Sequence, residues 1–163
     1  MNSTTIQETM RLWQDVPDKA KVKPTVKARS DGSQVVFESG PFSWRADFPG
    51  PLGGTNEAPS PTALLLSALA GCAVVFIRDT IAPQLGVEIT EVRAVAQCDA
   101  DLRGLLGMPG TIPDLQNIQI SIQIQSSDTQ ENIQRLYRVW QERCSIYLAL
   151  VKSLEVKTSL EII

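Results

Sequence analysis

Cys72 sits within an apolar run, residues 64–77, that reads as a helix greasy on every side, and Cys144 follows 72 residues later near the end of a second helical pattern. A thiol in such a setting is either inert packing or a protected reactive sulfur. The sequence contains no histidine, which removes Ser-His-Asp and Cys-His catalysis, His-ligated zinc and the commonest general base near neutral pH. The three cysteines include no C-x-x-C pair, so neither a zinc site nor any other metal centre or cofactor is expected. Cys98 alternates in phase with Val92, Ala94 and Ala96 and reads as packing. What chemistry remains belongs to thiols, carboxylates and arginines.

The chain that must position these groups has 163 residues, 43% of them apolar, enough for one domain with a substantial core. Net charge is −3 and the basic residues are scattered, with only Lys19, Lys21, Lys23 and Lys27 loosely grouped, so nucleic acid is not an expected partner. The N-terminal residues lack the basic and apolar regions of a signal peptide. The 64–77 run, at 14 residues, is shorter than the roughly 20 a bilayer requires. No membrane partner and a cytoplasmic location are therefore expected, and in a reducing compartment an odd cysteine count does not make a disulfide framework.

Residues 5–16 predict an amphipathic helix, with Thr5 and Glu8 at capping-box spacing and Ile6, Met10 and Trp13 on one stripe. Strands are expected over 22–29, 33–39 and 41–48, joined by Asp31-Gly32 and Ser39-Gly40-Pro41 turn chemistry into an antiparallel meander. Residues 49–61 hold four prolines and three glycines and predict a loop. Ser60-Pro61 then opens a central helix running to about Pro83, with Gly86 as its exit; its all-round apolarity predicts that it is enclosed. Residues 87–101 read as extended. Residues 102–114 form a Gly/Pro-rich loop bearing Leu105, Leu106, Met108 and Ile112, either a lid over a channel or a hairpin connection. Ile118, Ile120, Ile122 and Ile124 alternate with polar residues in the cleanest strand. Ser127 with Gln130, or Asp128 with Glu131, caps a helix whose stripe is Ile133, Leu136, Tyr137, Trp140 and Cys144. Residues 154–163 predict a closing strand. The order specifies an α+β fold with a mostly antiparallel sheet.

The stretch from Gly53-Gly54-Thr55-Asn56 through Pro59-Ser60-Pro61 to Ala70-Gly71-Cys72, together with Arg143-Cys144-Ser145-Ile146-Tyr147, resembles the OsmC/Ohr family. The resemblance covers about residues 22–163 and leaves residues 1–20 as an N-terminal helical extension to a 21–163 domain. It implies curved antiparallel sheets around two long central helices in an intertwined homodimer. It also implies a dithiol peroxidase of organic hydroperoxides, active under oxidative stress, with Cys72 attacking the peroxide and Cys144 resolving the sulfenic acid to a disulfide that an external dithiol reduces.

Burial raises a cysteine pKa, so a peroxidatic Cys72 needs a fixed cation. Arg78 lies about 240° around the helix and points elsewhere. Arg45, where family members similarly carry an arginine, is the expected partner, with Arg29 the alternative. Active members place a glutamate directly after the proline that opens the central helix; this chain has Thr62 and Ala63 there. Thr62 offers a hydroxyl without charge, and Glu57 in the preceding loop is the other residue that could orient the arginine. Leu65, Leu69 and Phe76 flank Cys72 on the helix and could shape an apolar substrate pocket or simply fill the core. The second reading is a non-catalytic protein of this fold that binds a small apolar ligand or senses redox state.

Overall fold

A computed structural model describes residues 3–162 of the chain. Helix α1 spans Ser3–Asp15. It starts before the expected capping box, so Thr5 lies inside it and its carbonyl accepts the Thr9 hydroxyl instead of Thr5 capping anything. Strands β1 (Lys27–Asp31), β2 (Gln34–Ser39) and β3 (Phe42–Ala46) form the expected antiparallel meander. The first strand begins later than its sequence suggests. Val22 and Val26 remain exposed, and the β1–β2 ladder ends at the Lys27–Glu38 pair.

After β3 the chain folds back on one carboxylate. Asp47 is buried and accepts bonds from the backbone N–H groups of Phe48, Thr55 and Glu57 and from the Thr55 hydroxyl. These four donors stabilise its ionised form and hold its pKa below the ordinary 3.8, the Thr55 hydroxyl contributing most. The loop passes so close that a Cβ on Gly54 would lie 1.9 Å from the Phe48 carbonyl oxygen and 2.5 Å from Asp47 Oδ1. Only glycine fits there.

The central rod is continuous over Pro61–Leu85, 25 residues. Helix α2 (Pro61–Phe76) opens with the Ser60 hydroxyl accepting from the Ala63 N–H and Pro61 in the first turn, as its sequence specifies. A single π-turn, Ile77–Ile81, follows, in which the Ala82 N–H reaches back five residues to the Ile77 carbonyl. Pro83 explains it: lacking an N–H, it cannot continue the regular ladder, and the wider turn absorbs the register change before α3 (Ala82–Leu85) resumes. Gly86 closes the rod with φ +69°.

Strands β4 (Glu91–Asp99) and β5 (Gln116–Gln125) pair antiparallel as a second sheet. The segment between them carries a short helix, α4 (Leu102–Leu105), and is a hairpin connection. Helix α5 (Gln130–Arg143) begins one residue beyond the expected caps. The Thr129 hydroxyl accepts from the Asn132 N–H, while Asp128 accepts from the Thr129 N–H and the Asn132 amide. Helix α6 spans Ser145–Val151.

The core lies where the rod, β4 and α5 meet. Ala73, Ile77, Ile81, Val87, Val92, Leu136, Trp140 and Cys144 are buried there, and Ile120, Ile122 and Ile124 of β5 pack against them. Trp140 stacks between Tyr137 and Tyr147, with ring centroids 5.6 and 4.9 Å away.

Two expectations fail for one reason. The rod is not enclosed, since Val75 stays exposed on the side away from Ala73 and Ile77. Residues 154–162 form no strand, and Leu160 and Ile162 are 90% exposed; Ile163 lies outside the described residues. A helix face or a strand is satisfied only by another surface, and the described residues supply none at either place.

Truncating the fully buried Leu136 to alanine should cost about 2–5 kcal/mol, read as a lower denaturant midpoint of the reduced protein. Asp47 stabilises the fold fully above pH 3.8 and loses that contribution as pH falls through its lowered folded value. Asp47→Asn should therefore flatten the acid side of the stability profile and speed proteolytic cleavage within residues 48–57.

Candidate active site

Cys72 is in the middle of α2, on the flank of the buried stripe formed by Leu69, Ala73 and Ile77. It is half-buried. Cys144 occupies the single extended residue (φ −68°, ψ 108°) between α5 and α6. Its N–H still bonds the Trp140 carbonyl at 2.8 Å and its own carbonyl accepts the Leu148 N–H at 2.9 Å, so the break is a rigid corner. The Trp140-to-Cys144 step places its fully buried sulfur against α2.

The two sulfurs stand 3.2 Å apart, with the Cys144 thiol donating to Cys72 Sγ. A disulfide is about 2.05 Å long, so closing this pair requires each sulfur to move only a fraction of an ångström. Burial is the largest influence on Cys72 and, with the neighbouring Cys144 sulfur, pushes its pKa up to about 11. The Ile146 backbone N–H, aimed at Cys72, opposes that rise but does not overcome it. In this chain alone Cys72 is a protonated thiol at neutral pH.

The thiol opens onto a cavity of about 200 Å³ lined by Cys72, Val75, Phe76, Thr80, Arg143 and Ser145. Of the three residues expected to shape a pocket, Phe76 lines it. Leu69 is turned into the core and Leu65 lies further up the rod; neither borders the cavity. Arg143 has no sequence signal beyond its position beside Cys144, yet it is the arginine that lines this cavity. Its guanidinium donates to Gln84 Oε1 at 3.0 Å, and the Gln84 amide contacts Met10 Sδ at 3.2 Å, tying α1 to the cavity rim.

Arg45 lies elsewhere. It donates to Asp31 Oδ2 and to Gln34 Oε1, both at 2.8 Å, on the β1–β2–β3 sheet. The main packing partners of α2 are β4, β5 and α6; that sheet is not among them. Arg29 lies in the same row, both arginines pairing with Val36 from opposite sides. Glu57 accepts from the Gln34 amide at 3.0 Å, so the structure brings Glu57 and Arg45 together through Gln34. Thr62 is in the first turn of α2. Ten residues of helix separate it from Cys72, about 15 Å, so neither Thr62 nor Ala63 can touch the thiol of its own chain. Among the described residues, no group of three or more cysteines and carboxylates is arranged to hold a metal ion.

The fold recurs in solved structures. An OsmC-like protein from Mycoplasma pneumoniae superposes with a TM-score of 0.67 at 20% identity, over 80% of this chain and 88% of that one. A Legionella pneumophila protein described as an organic hydroperoxide resistance protein OsmC and predicted redox protein gives 0.60 at 20% identity, over 80% and 90%. The organic hydroperoxide resistance protein OhrB of Bacillus subtilis gives 0.52 at 18% identity, over 83% and 96%. Among curated proteins none matches this sequence. These likenesses establish an α+β architecture of helices and antiparallel sheets shared with such proteins. A sequence-family model described as OsmC-like protein matches residues 54–159, from the loop glycine through both cysteines, and the chain belongs to that family.

Proposed function

We propose that this protein is a dithiol peroxidase that reduces organic hydroperoxides in the cytoplasm, with Cys72 peroxidatic and Cys144 resolving. The observation that carries this reading is the 3.2 Å contact between two free thiols, of which Cys72 lines a largely apolar cavity. The likeness of its fold to the Legionella and Bacillus organic hydroperoxide resistance proteins supports it. The Cys72 thiolate attacks the terminal peroxide oxygen; the O–O bond breaks, the alcohol leaves after taking up a proton, and Cys72 becomes a sulfenic acid. Cys144 then displaces hydroxide from that sulfur, forming the disulfide and water. An external dithiol returns both sulfurs to thiols by exchange. Electrons therefore pass from the dithiol to the peroxide, and no cofactor is needed.

The step this chain does not support by itself is ionisation of Cys72. We propose that a homodimer supplies the cation, Arg45 of a second copy reaching the thiol across the uncovered face of α2. Two features favour the arrangement: Val75 leaves that face exposed, and Arg45 is carried on a sheet that is not among the main packing partners of its own α2. The raised Cys72 pKa favours the second reading, a non-catalytic protein of this fold that senses redox state or binds a small apolar ligand, if no such cation arrives.

One equivalent of cumene hydroperoxide should consume two thiols of the folded protein, seen by intact mass, and yield a Cys72–Cys144 disulfide. Cys72→Ser should abolish the loss, and Cys144→Ser should accumulate a sulfenic acid. Survival of both thiols in excess peroxide would rule out the peroxidase and leave the ligand-binding reading. A second measurement follows the alkylation of Cys72 against pH. An unassisted thiol gains reactivity about tenfold per pH unit until about 11, whereas an arginine from a second copy should bring the midpoint below the ordinary 9.0. Arg45→Ala should move it back up.

A further inference from the structure

We infer that Gln34 and Asp31 are the positioning residues for Arg45, and that Glu57 acts on the arginine through the Gln34 amide. This rests on the proposed role of Arg45 at the thiol and adds how this chain, with Thr62 and Ala63 in the first turn of α2, holds its guanidinium.

Strand register explains the cluster. Asp31 pairs with Gln34 across the β1–β2 turn, and Arg45 pairs with Val36. Because side chains alternate along a strand, Asp31, Gln34, Val36 and Arg45 share one face of the sheet. Val36 is buried and offers no acceptor, so the Arg45 guanidinium turns to its diagonal neighbour and to the end of the hairpin. There Nη1 donates to Gln34 Oε1 and Nη2 to Asp31 Oδ2, each at 2.8 Å. The Arg45 side chain is still 50% exposed, which leaves its other N–H groups free to face a second acceptor.

The Gln34 amide cannot flip without loss. In its observed orientation the oxygen meets the guanidinium and the nitrogen donates to Glu57 Oε2 at 3.0 Å. Reversed, it would set an N–H₂ against Arg45 and a carbonyl against Glu57. The carboxylate thus fixes the amide, and the amide fixes the arginine. Glu57 is itself anchored, since its backbone N–H donates to Asp47 Oδ2 at 3.0 Å. A chain of bonds runs Asp47, Glu57, Gln34, Arg45, with Asp31 closing the other side, and none of it uses the first turn of α2.

The test uses the full-length assembled protein, with the midpoint of Cys72 alkylation read by peptide mass and kcat/KM measured with cumene hydroperoxide. Gln34→Ala and Asp31→Asn should each raise the midpoint by about one pH unit, a tenfold loss of thiolate at fixed pH. The value of kcat/KM should fall by a similar factor. Gln34→Glu alone should do the same, because it places two carboxylates together. The double variant Gln34→Glu, Glu57→Gln should restore both readouts, since Glu57→Gln regains a donor toward the new carboxylate. A loss that came merely from weakened folding would not be rescued by that exchange. If Arg45→Ala raises the midpoint and none of the other variants does, the inference is overturned while the role of Arg45 stands. If Arg45→Ala changes nothing, the Arg45 step of the proposed function falls, and this inference with it.

Discussion

The structure depends on how the 25-residue apolar rod is covered. One face, with Leu69, Ala73, Ile77 and Ile81, is buried by the β4–β5 sheet and by α5, and the core assembles along that contact. Along the other face Val75 stays exposed, with no cover from the described residues. Cys72 lies where the two regimes meet, half-buried, with a cavity on its open side and Cys144 on its covered side. Burial of Trp140 and Cys144 by the same stripe therefore does two jobs. It contributes hydrophobic stabilisation, and it brings two sulfurs into contact from elements far apart in sequence.

That placement sets an electrostatic problem. Low polarity around Cys72 protects the thiol and also keeps it protonated, and the neighbouring sulfur adds to the effect. The Ile146 N–H offsets a part of it. A peroxidatic role needs more; its proposed source is Arg45, which Asp31 and Gln34 hold on a separate sheet. Arg45 and the thiol lie on separate elements of one chain, and the proposed homodimer is what would bring them together. In the proposed homodimer this division would tie reactivity to assembly.

The loop between these two parts is where local rules give way to tertiary ones. Its composition announces only irregular backbone, but Asp47 makes it a fixed structure by collecting four donors, and Gly54 permits the close pass. Glu57 owes its position to that carboxylate. No periodicity marks such residues, because their partners are backbone groups eight and ten positions away in a segment without repeats.

The sequence by itself determined the elements whose patterning is strong: the meander, the Ser60-capped helix, the alternating isoleucines of β5 and the Leu136–Trp140–Cys144 stripe. It also placed Cys72 within the central helix and Cys144 at the end of the second helical stripe, since apolar periodicity and capping are local. The helix start at Ser3 and the Thr129 cap escaped it by a residue or two, because several adjacent hydroxyls and carboxylates can cap and packing selects among them. The expected closing strand was misleading for a deeper reason: alternation is necessary for a strand, but only a neighbouring edge makes one. Tertiary structure alone decided the 3.2 Å sulfur contact, the place of Arg143 on the cavity wall and the Gln34 bridge between Arg45 and Glu57. Those depend on which surfaces meet, and distance through space is not written in the order of residues.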